Sequence, residues 1–204
     1  MNAKRDTSRK RNEILDAAIR EFQAVGYDNT SMDRIAEVAG ASKRTVYNHF
    51  ASKALLFEAA FDRLKDELKE LKSIPYDPTR GLAEQLEQFV DAKRAVAENP
   101  EWLGLMRVAT TVFIAHPEMA RDTMARLARE EDQLIAWMTD AAADGRMKIA
   151  KPAQAAQLFW AMVSGAFYWP SLYLGPVGKD DALPLKREIV ALFLARYARD
   201  QDVA

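Results

Sequence analysis

Apolar residues recur three and four positions apart along almost the whole chain, and this spacing constrains the fold more than any other feature. A period of 3.6 gathers such residues on one face of a helix, whereas a strand needs alternation, and no window of the chain alternates convincingly. The eight prolines and eight glycines fall mostly between the periodic stretches, where they punctuate helices. The chain is therefore expected to be all-α, with about nine helices, no internal repeats and no low-complexity segment.

The first helix is expected from about Ser8 to Val25, with Ile14, Ala18 and Phe22 on one face and Gly26 as a left-handed cap. Thr30 is expected to open a second, with Asp33 three residues on at capping-box spacing, and that helix should end near Ala39-Gly40. Ser42 caps a short third helix through Phe50. Ser52 caps a fourth that should carry Leu55, Leu56, Ala59, Ala60, Leu64 and Leu68 inward and run to about Lys72.

The pattern breaks at Ile74-Pro75-Tyr76-Asp77-Pro78, where a domain boundary is expected and where Asp77 should cap a fifth helix reaching about Glu98. Asn99-Pro100 should start a sixth, Trp102 to Ala115, apolar enough to be buried all round. His116-Pro117 should begin a long seventh ending near Ala143. An eighth is expected from Ala153 to about Trp169, and a ninth after Pro184.

Charge becomes informative once it is divided along the chain. From Met1 to Lys53 there are 10 Lys or Arg against 7 Asp or Glu, a net +3, while the remainder carries −4. Lys4, Arg5, Arg9, Lys10 and Arg11 precede the first apolar periodicity, as in an arm that meets phosphates or in a solubilising tail. The absence of cysteine excludes disulfides, thiolate metal sites and cysteine nucleophiles. The start Met1-Asn2-Ala3-Lys4-Arg5 is polar and no stretch has the length of a membrane span, so a cytoplasmic protein without membrane association is expected.

The chemistry concentrates between Thr30 and Lys53. Two short capped helices separated by Ala39-Gly40-Ala41 make the turn that sets a second helix steeply across the first, the arrangement that enters a major groove. Small Ala36 permits close approach, and Ile35, Val46 and Phe50 supply the buried side. The segments Gly26-Tyr27-Asp28-Asn29-Thr30-Ser31, Ile35 to Ser42 and Thr45-Val46-Tyr47-Asn48-His49-Phe50-Ala51-Ser52-Lys53 together closely resemble the DNA-binding domain of the TetR family, over about Ser8 to Leu64.

That resemblance implies roles. Thr30 and Ser31 would meet backbone phosphate, Lys43, Arg44 and Thr45 would reach base edges, and Tyr47, Asn48, His49 and Lys53 would clamp phosphates. A core position is the competing reading for Tyr47. Arg44 stands where the family more often has Gly or Pro, so this chain would read a base pair that many relatives leave unread. The resemblance further implies a division into residues 1–53 (arm and helix-turn-helix), 54–72 (connecting fourth helix) and 73–204 (effector binding and dimerisation). The eighth and ninth helices of two chains would pack as a four-helix bundle. The two recognition helices would then stand roughly 34 Å apart or somewhat wider, on a pseudo-palindromic double-stranded operator.

The sixth helix, the His116-Pro117-Glu118 junction and the seventh helix resemble the AefR-like subgroup of that family. The C-terminal part is rich in aromatic residues and methionine, as an ordinary core is. As a group that includes Trp102, Met106, Phe113, Trp137 and Met162, and extends to Trp169, they suit a pocket for a small, mainly apolar effector. Arg107 in the apolar sixth helix would need a carboxylate partner such as Glu87 or Asp91, or an anionic ligand group. The fourth helix would be the lever joining effector to DNA. No enzyme, cofactor or metal site is suggested: there is no phosphate-binding glycine loop, and His49 and His116 lie on separate elements. The acidic run Glu130-Glu131-Asp132 is read as a solvated face. The alternatives are a ligand-independent dimeric regulator or activator, and a helical small-molecule-binding protein without DNA binding.

Overall fold

The computed structural model describes residues 2–69, 74–128 and 132–199. In chain order its helices are α1 (Asn2–Val25), α2 (Met32–Val38), α3 (Lys43–His49), α4 (Lys53–Lys69), α5 (Leu82–Glu98) and α6 (Pro100–Ala115). There follow α7 (Pro117–Ala128), α8 (Asp132–Ala143), α9 (Pro152–Val163), α10 (Trp169–Leu174) and α11 (Lys179–Tyr197). Among the described residues the one extended pairing is an isolated antiparallel bridge between Met147 and Ala198. Among the described residues no helix is long and apolar enough to cross a membrane.

Packing divides the chain into two compact units, one from residues 1–70 and 100–123, the other from 71–99 and 124–204. In the first, α1 turns Ile14, Leu15, Ala18 and Phe22 inward against Leu56, Phe57, Ala60 and Phe61 of α4, and all of these are buried. An α6 face of Trp102, Met106 and Ala109 is buried in the same unit, with the Trp102 ring 5.0 Å from that of Phe61. Helices α2 and α3 pack on each other and α2 on α1, anchored through Ile35, Val46 and Phe50. The second unit is built around Trp137 of α8, with Leu86, Phe89 and Val90 of α5, Phe159 of α9, and Val190 and Phe193 of α11.

Several local expectations give way to tertiary context. The α2 cap is Ser31, whose Oγ accepts from the Arg34 amide at 3.1 Å; the Thr30 hydroxyl instead donates to the Gly26 carbonyl at 2.7 Å. One residue of shift decides between them, because only the residue with extended backbone just outside the helix can cap it. On α4, Leu55 is exposed, since its neighbour Leu56 holds the inward position, and the Leu68 side chain lies outside the described residues.

Asp77 does not cap α5. It closes a turn by accepting from the amide and hydroxyl of Thr79, and α5 begins at Leu82, five residues after Asp77 and behind Gly81. Helix α6 is not buried all round, for Arg107, Thr111 and Ile114 form an exposed stripe at helical spacing. The expected seventh helix corresponds to α7 and α8, and residues 129–131 between them, with Glu130 and Glu131, lie outside the described residues.

Two prolines expected to bound helices lie within helical runs. A π turn over residues 164–168 joins α9 to α10, with the Trp169 amide donating to the carbonyl of Ser164, five residues back. The wider turn moves the preceding carbonyls off the Pro170 ring, which would clash with them in a regular α-helix. Helix α11 starts at Lys179 and passes through Pro184. Trp169, grouped above with the interior aromatics, faces outward.

Candidate nucleic-acid interface

The start of α3 is fixed from both ends of its preceding turn. The Ser42 hydroxyl caps it by accepting from the Thr45 amide at 3.1 Å. Gly40 sits at φ +54°, a left-handed conformation that a side chain would strain, and lets α2 stop and the chain reverse. Lys10 of α1 donates to Glu13 at 2.7 Å and to the carbonyls of Ala39 and Gly40 at 3.4 and 3.3 Å. The Arg11 guanidinium lies 5.2 Å from the centre of the Phe50 ring. Two of the five cations of the basic arm thus brace the helix-turn-helix unit from behind; the Lys4 and Arg5 side chains lie outside the described residues.

With Val46 and Phe50 turned into the core, helical geometry sends positions 43, 44, 47 and 48 to the opposite face. Lys43, Arg44, Tyr47 and Asn48 are all exposed there, and Tyr47, at 51%, is not a core aromatic. Thr45 and His49 are half-buried at its edges. Arg44 has no hydrogen-bond partner among the described residues, so its five donors point to solvent. Lys43 pairs with Asp33 of α2 at 2.5 Å, an exposed contact that a phosphate or base can displace at little expense. Ser31 is exposed at the head of α2.

The remaining two residues of the expected set are engaged internally. Thr30 is 2% exposed and spends its hydroxyl on Gly26. The Lys53 ammonium donates to the carbonyls of Tyr27, Asp28 and Thr30 at 2.7, 3.3 and 3.0 Å, and lies 4.4 Å from the centre of the Tyr27 ring. Burial holds the Tyr27 phenol above its ordinary pKa, with the carboxylates of Asp28 and Glu58 acting in the same direction. Arg34 on the outer side of α2 bonds Glu37 and pairs with Glu21 of α1, so it ties α2 down and its charge is locally compensated.

The residues expected to line an effector pocket are divided between the units. Trp102, Met106, Arg107 and Phe113 lie on α6 in the first, whereas Trp137 and Met162 lie in the second. Arg107 is exposed, and the carboxylates considered as its partners, Glu87 and Asp91, pair with Lys186 of α11 at 3.2 and 3.0 Å. Trp137 is a core residue, 1% exposed, and its indole N–H donates to Gln85 Oε1 at 3.0 Å.

Gln85 itself is fully buried. Its Oε1 also accepts from the Asp77 amide, and its Nε2 donates to the carbonyls of Asp77 and Arg80. The sequence held a signal for this residue, a glutamine in step with Leu82, Leu86 and Phe89 on the inward face of α5. Nearby, the Trp160 indole Nε1 and the Arg94 Nε are buried without a hydrogen-bond partner among the described residues; Arg94 lies over the Phe167 ring.

Known proteins share this fold. Residues 14–60 match the family described as bacterial regulatory proteins, tetR family, and residues 84–199 match the AefR-like transcriptional repressor C-terminal domain. The crystal structure of a TetR family transcriptional regulator from Pseudomonas syringae pv. tomato str. DC3000 is similar to 92% of this chain and 96% of its own, at 33% identity and a TM-score of 0.77. The flavonoid-responsive regulator FrrA shares the fold over 95% of this chain and 99% of its own, with a TM-score of 0.81 and 24% identity. The HTH-type transcriptional regulator YhgD of Bacillus subtilis (strain 168), uncharacterized, is 36% identical over 66 residues, 32% of this chain. The match spans only 35% of the length of YhgD.

Proposed function

This chain belongs to the TetR family of DNA-binding transcriptional regulators, and we propose that it acts in the cytoplasm as a homodimeric repressor that a small, mainly apolar effector releases from its operator. The observation that carries the reading is the outward face of α3, where Lys43, Arg44, Tyr47 and Asn48 stand together on a helix anchored by Val46 and Phe50. Such a helix fits a major groove, and its first residues reach base edges. Arg44 reads guanine by a bidentate contact, while Ser31, Lys43, Tyr47, Asn48 and His49 hold the phosphate backbone or neighbouring bases.

Substituting Arg44 by Ala should reduce affinity for the cognate operator by roughly 1–3 kcal/mol, with the loss concentrated at one base position. Fluorescence anisotropy on cognate and single-base-substituted duplexes measures this. Equal losses on cognate and scrambled DNA would remove the base-reading role of Arg44.

Dimerisation through α9–α10 and α11 is supported by two exposed stripes on the second unit. Leu158, Trp169 and Tyr173 follow one another along α9 and α10, and Leu185 and Leu192 along α11. Apolar stripes of this kind on adjoining helices are the surfaces that a second copy removes from water.

The effector reading draws on the second unit's aromatic interior, to which Trp137 belongs and against which Met162 and Trp160 pack. The unpartnered donors of Trp160 and Arg94 favour an aromatic or apolar molecule that carries a hydrogen-bond acceptor. FrrA is itself named for responding to flavonoids. A coupling of about 1–3 kcal/mol between effector and operator is enough to release DNA held at the margin. Screening aromatic compounds with acceptor groups for both thermal stabilisation and operator release tests this. Stabilisation without release, or no hits across a broad library, would favour a ligand-independent regulator.

A further inference from the structure

We infer that Asp33 is a positioning residue of the DNA interface that holds Lys43 in reserve. It keeps the Lys43 ammonium against α2 in the free protein, so that binding to any duplex requires Lys43 to leave it. The inference deepens the DNA-binding reading above and rests on it.

Asp33 stands in the first turn of α2, and Lys43 is the first residue of α3, across the turn at residues 39–42. Met32, Ile35 and Ala36 turn the inner face of α2 into the core, which sends position 33 outward. Val46 does the same for α3 and leaves Lys43 outside beside Arg44. The two outward faces meet at this pair: Lys43 Nζ lies 2.5 Å from Asp33 Oδ2, with side chains 67% and 55% exposed. The carboxylate therefore stands on the same surface as the residues that meet DNA.

The pairing is one to one. Arg34, the cation next to Asp33 in sequence, is taken by Glu37 at 2.8 Å and by Glu21 at 3.4 Å. Among the described residues Lys43 and Asp33 have no hydrogen-bond partner but each other, whereas Arg44 has none at all. Of the two cations that begin α3, one is thus free and the other neutralised.

One positive charge cannot neutralise both Asp33 and a phosphate. When Lys43 turns to DNA it leaves a bare carboxylate beside the phosphates, and the attraction it had in the free protein is lost. No base takes part in that exchange, so the penalty falls on all sequences alike. Contacts to base edges, such as that of Arg44, are then what separates the operator from other DNA.

The test is a double-mutant cycle in the full-length protein. The unsubstituted chain, Asp33→Asn, Lys43→Met and the two together are compared in binding to a random-sequence duplex at fixed low salt. Asp33→Asn is expected to tighten binding, and by a factor about 2–5 greater with Lys43 in place than in the Lys43→Met background, the worth of an exposed ion pair. Repulsion between the carboxylate and phosphates is common to both backgrounds and cancels. A structural role alone, through the favourable charge at the start of α2, would make the substitution loosen that helix and weaken binding.

Unchanged or weaker binding by Asp33→Asn would overturn the inference, as would an equal gain in both backgrounds, which leaves Asp33 acting through its charge alone. Should Asp33→Asn not fold, Asp33→Ser carries the same expectations and the same two refutations. Failure of the unsubstituted protein to bind any duplex would count against the regulator reading instead. The salt needed to elute the four proteins from heparin, a polyanion without bases, then completes the cycle and decides whether Lys43 must leave Asp33.

Discussion

A chain carrying Leu158→Glu together with Leu192→Glu is expected to sediment as a monomer and to lose on the order of 10²–10⁴ in affinity for its pseudo-palindromic operator. The size of the effect comes from linkage and not from any contact with DNA. In a dimer the second recognition helix meets its half-site at the effective concentration set by the first, and a monomer forfeits that entirely. The two leucines are chosen because each is about half exposed in the single chain, at 50% and 56%, and neither contributes to the buried interior of its unit. Glutamate at either place is harmless to an isolated chain, but two copies brought together would bury like charges without partners. Analytical ultracentrifugation at micromolar concentration, paired with operator binding, checks both halves. A variant that remains dimeric would move the two-fold axis away from α9–α10 and α11. A monomer that binds the full operator as tightly as before would mean that one recognition unit suffices.

Gln85→Leu should lower the stability of the protein by roughly 2–4 kcal/mol, the largest effect expected of any single polar substitution in the second unit. The substituted side chain has similar bulk, so no cavity explains the loss. Its source is the partners left behind: the buried Trp137 indole N–H, 3.0 Å from Gln85 Oε1, and the Asp77 amide, 2.8 Å from the same oxygen. Each buried donor deprived of its acceptor is destabilising by about 1–3 kcal/mol. A double-mutant cycle with Trp137→Phe, followed by urea denaturation, separates this from general loosening. The second substitution removes the stranded donor, so the pair together should be less destabilised than the sum of the two singles. Strict additivity, or a Gln85→Leu change below about 1 kcal/mol, would show that the network does not matter to stability.

Both expectations depend on which residues face inward, and that was unevenly legible in the sequence. The alternation of apolar and polar residues at helical spacing is a local property, sufficient to give an all-α chain and to place Ile14, Phe22, Val46 and Phe50 inside. The helix-turn-helix was legible for a related reason. Caps and turns depend on backbone conformation within a few residues, so Ser42, Ser52, Gly26 and Gly40 could be assigned from their neighbours alone. The outward position of Lys43, Arg44, Tyr47 and Asn48 then followed from the inward position of Val46 and Phe50.

What the sequence could not decide were the choices made by atoms distant in the chain. Lys53 and the turn at Tyr27 to Thr30 are separated by more than twenty residues, and nothing near Lys53 in sequence says that its ammonium will find three carbonyls instead of solvent. Gln85 reaches Trp137 across fifty-two positions. Pro170 and Pro184 read locally as helix boundaries, yet the chain passes through both, with a π turn relieving the first. Helix α6 has the composition of a wholly buried helix and still exposes Arg107, Thr111 and Ile114, because only the packing of α1 and α4 against it fixes which face is covered. Local pattern determines which segments become helices and which residues compete for the core. Which of those competitors are buried, and which charges are left to meet a partner, is settled by the tertiary contacts, since burial and desolvation are properties of the whole packed unit.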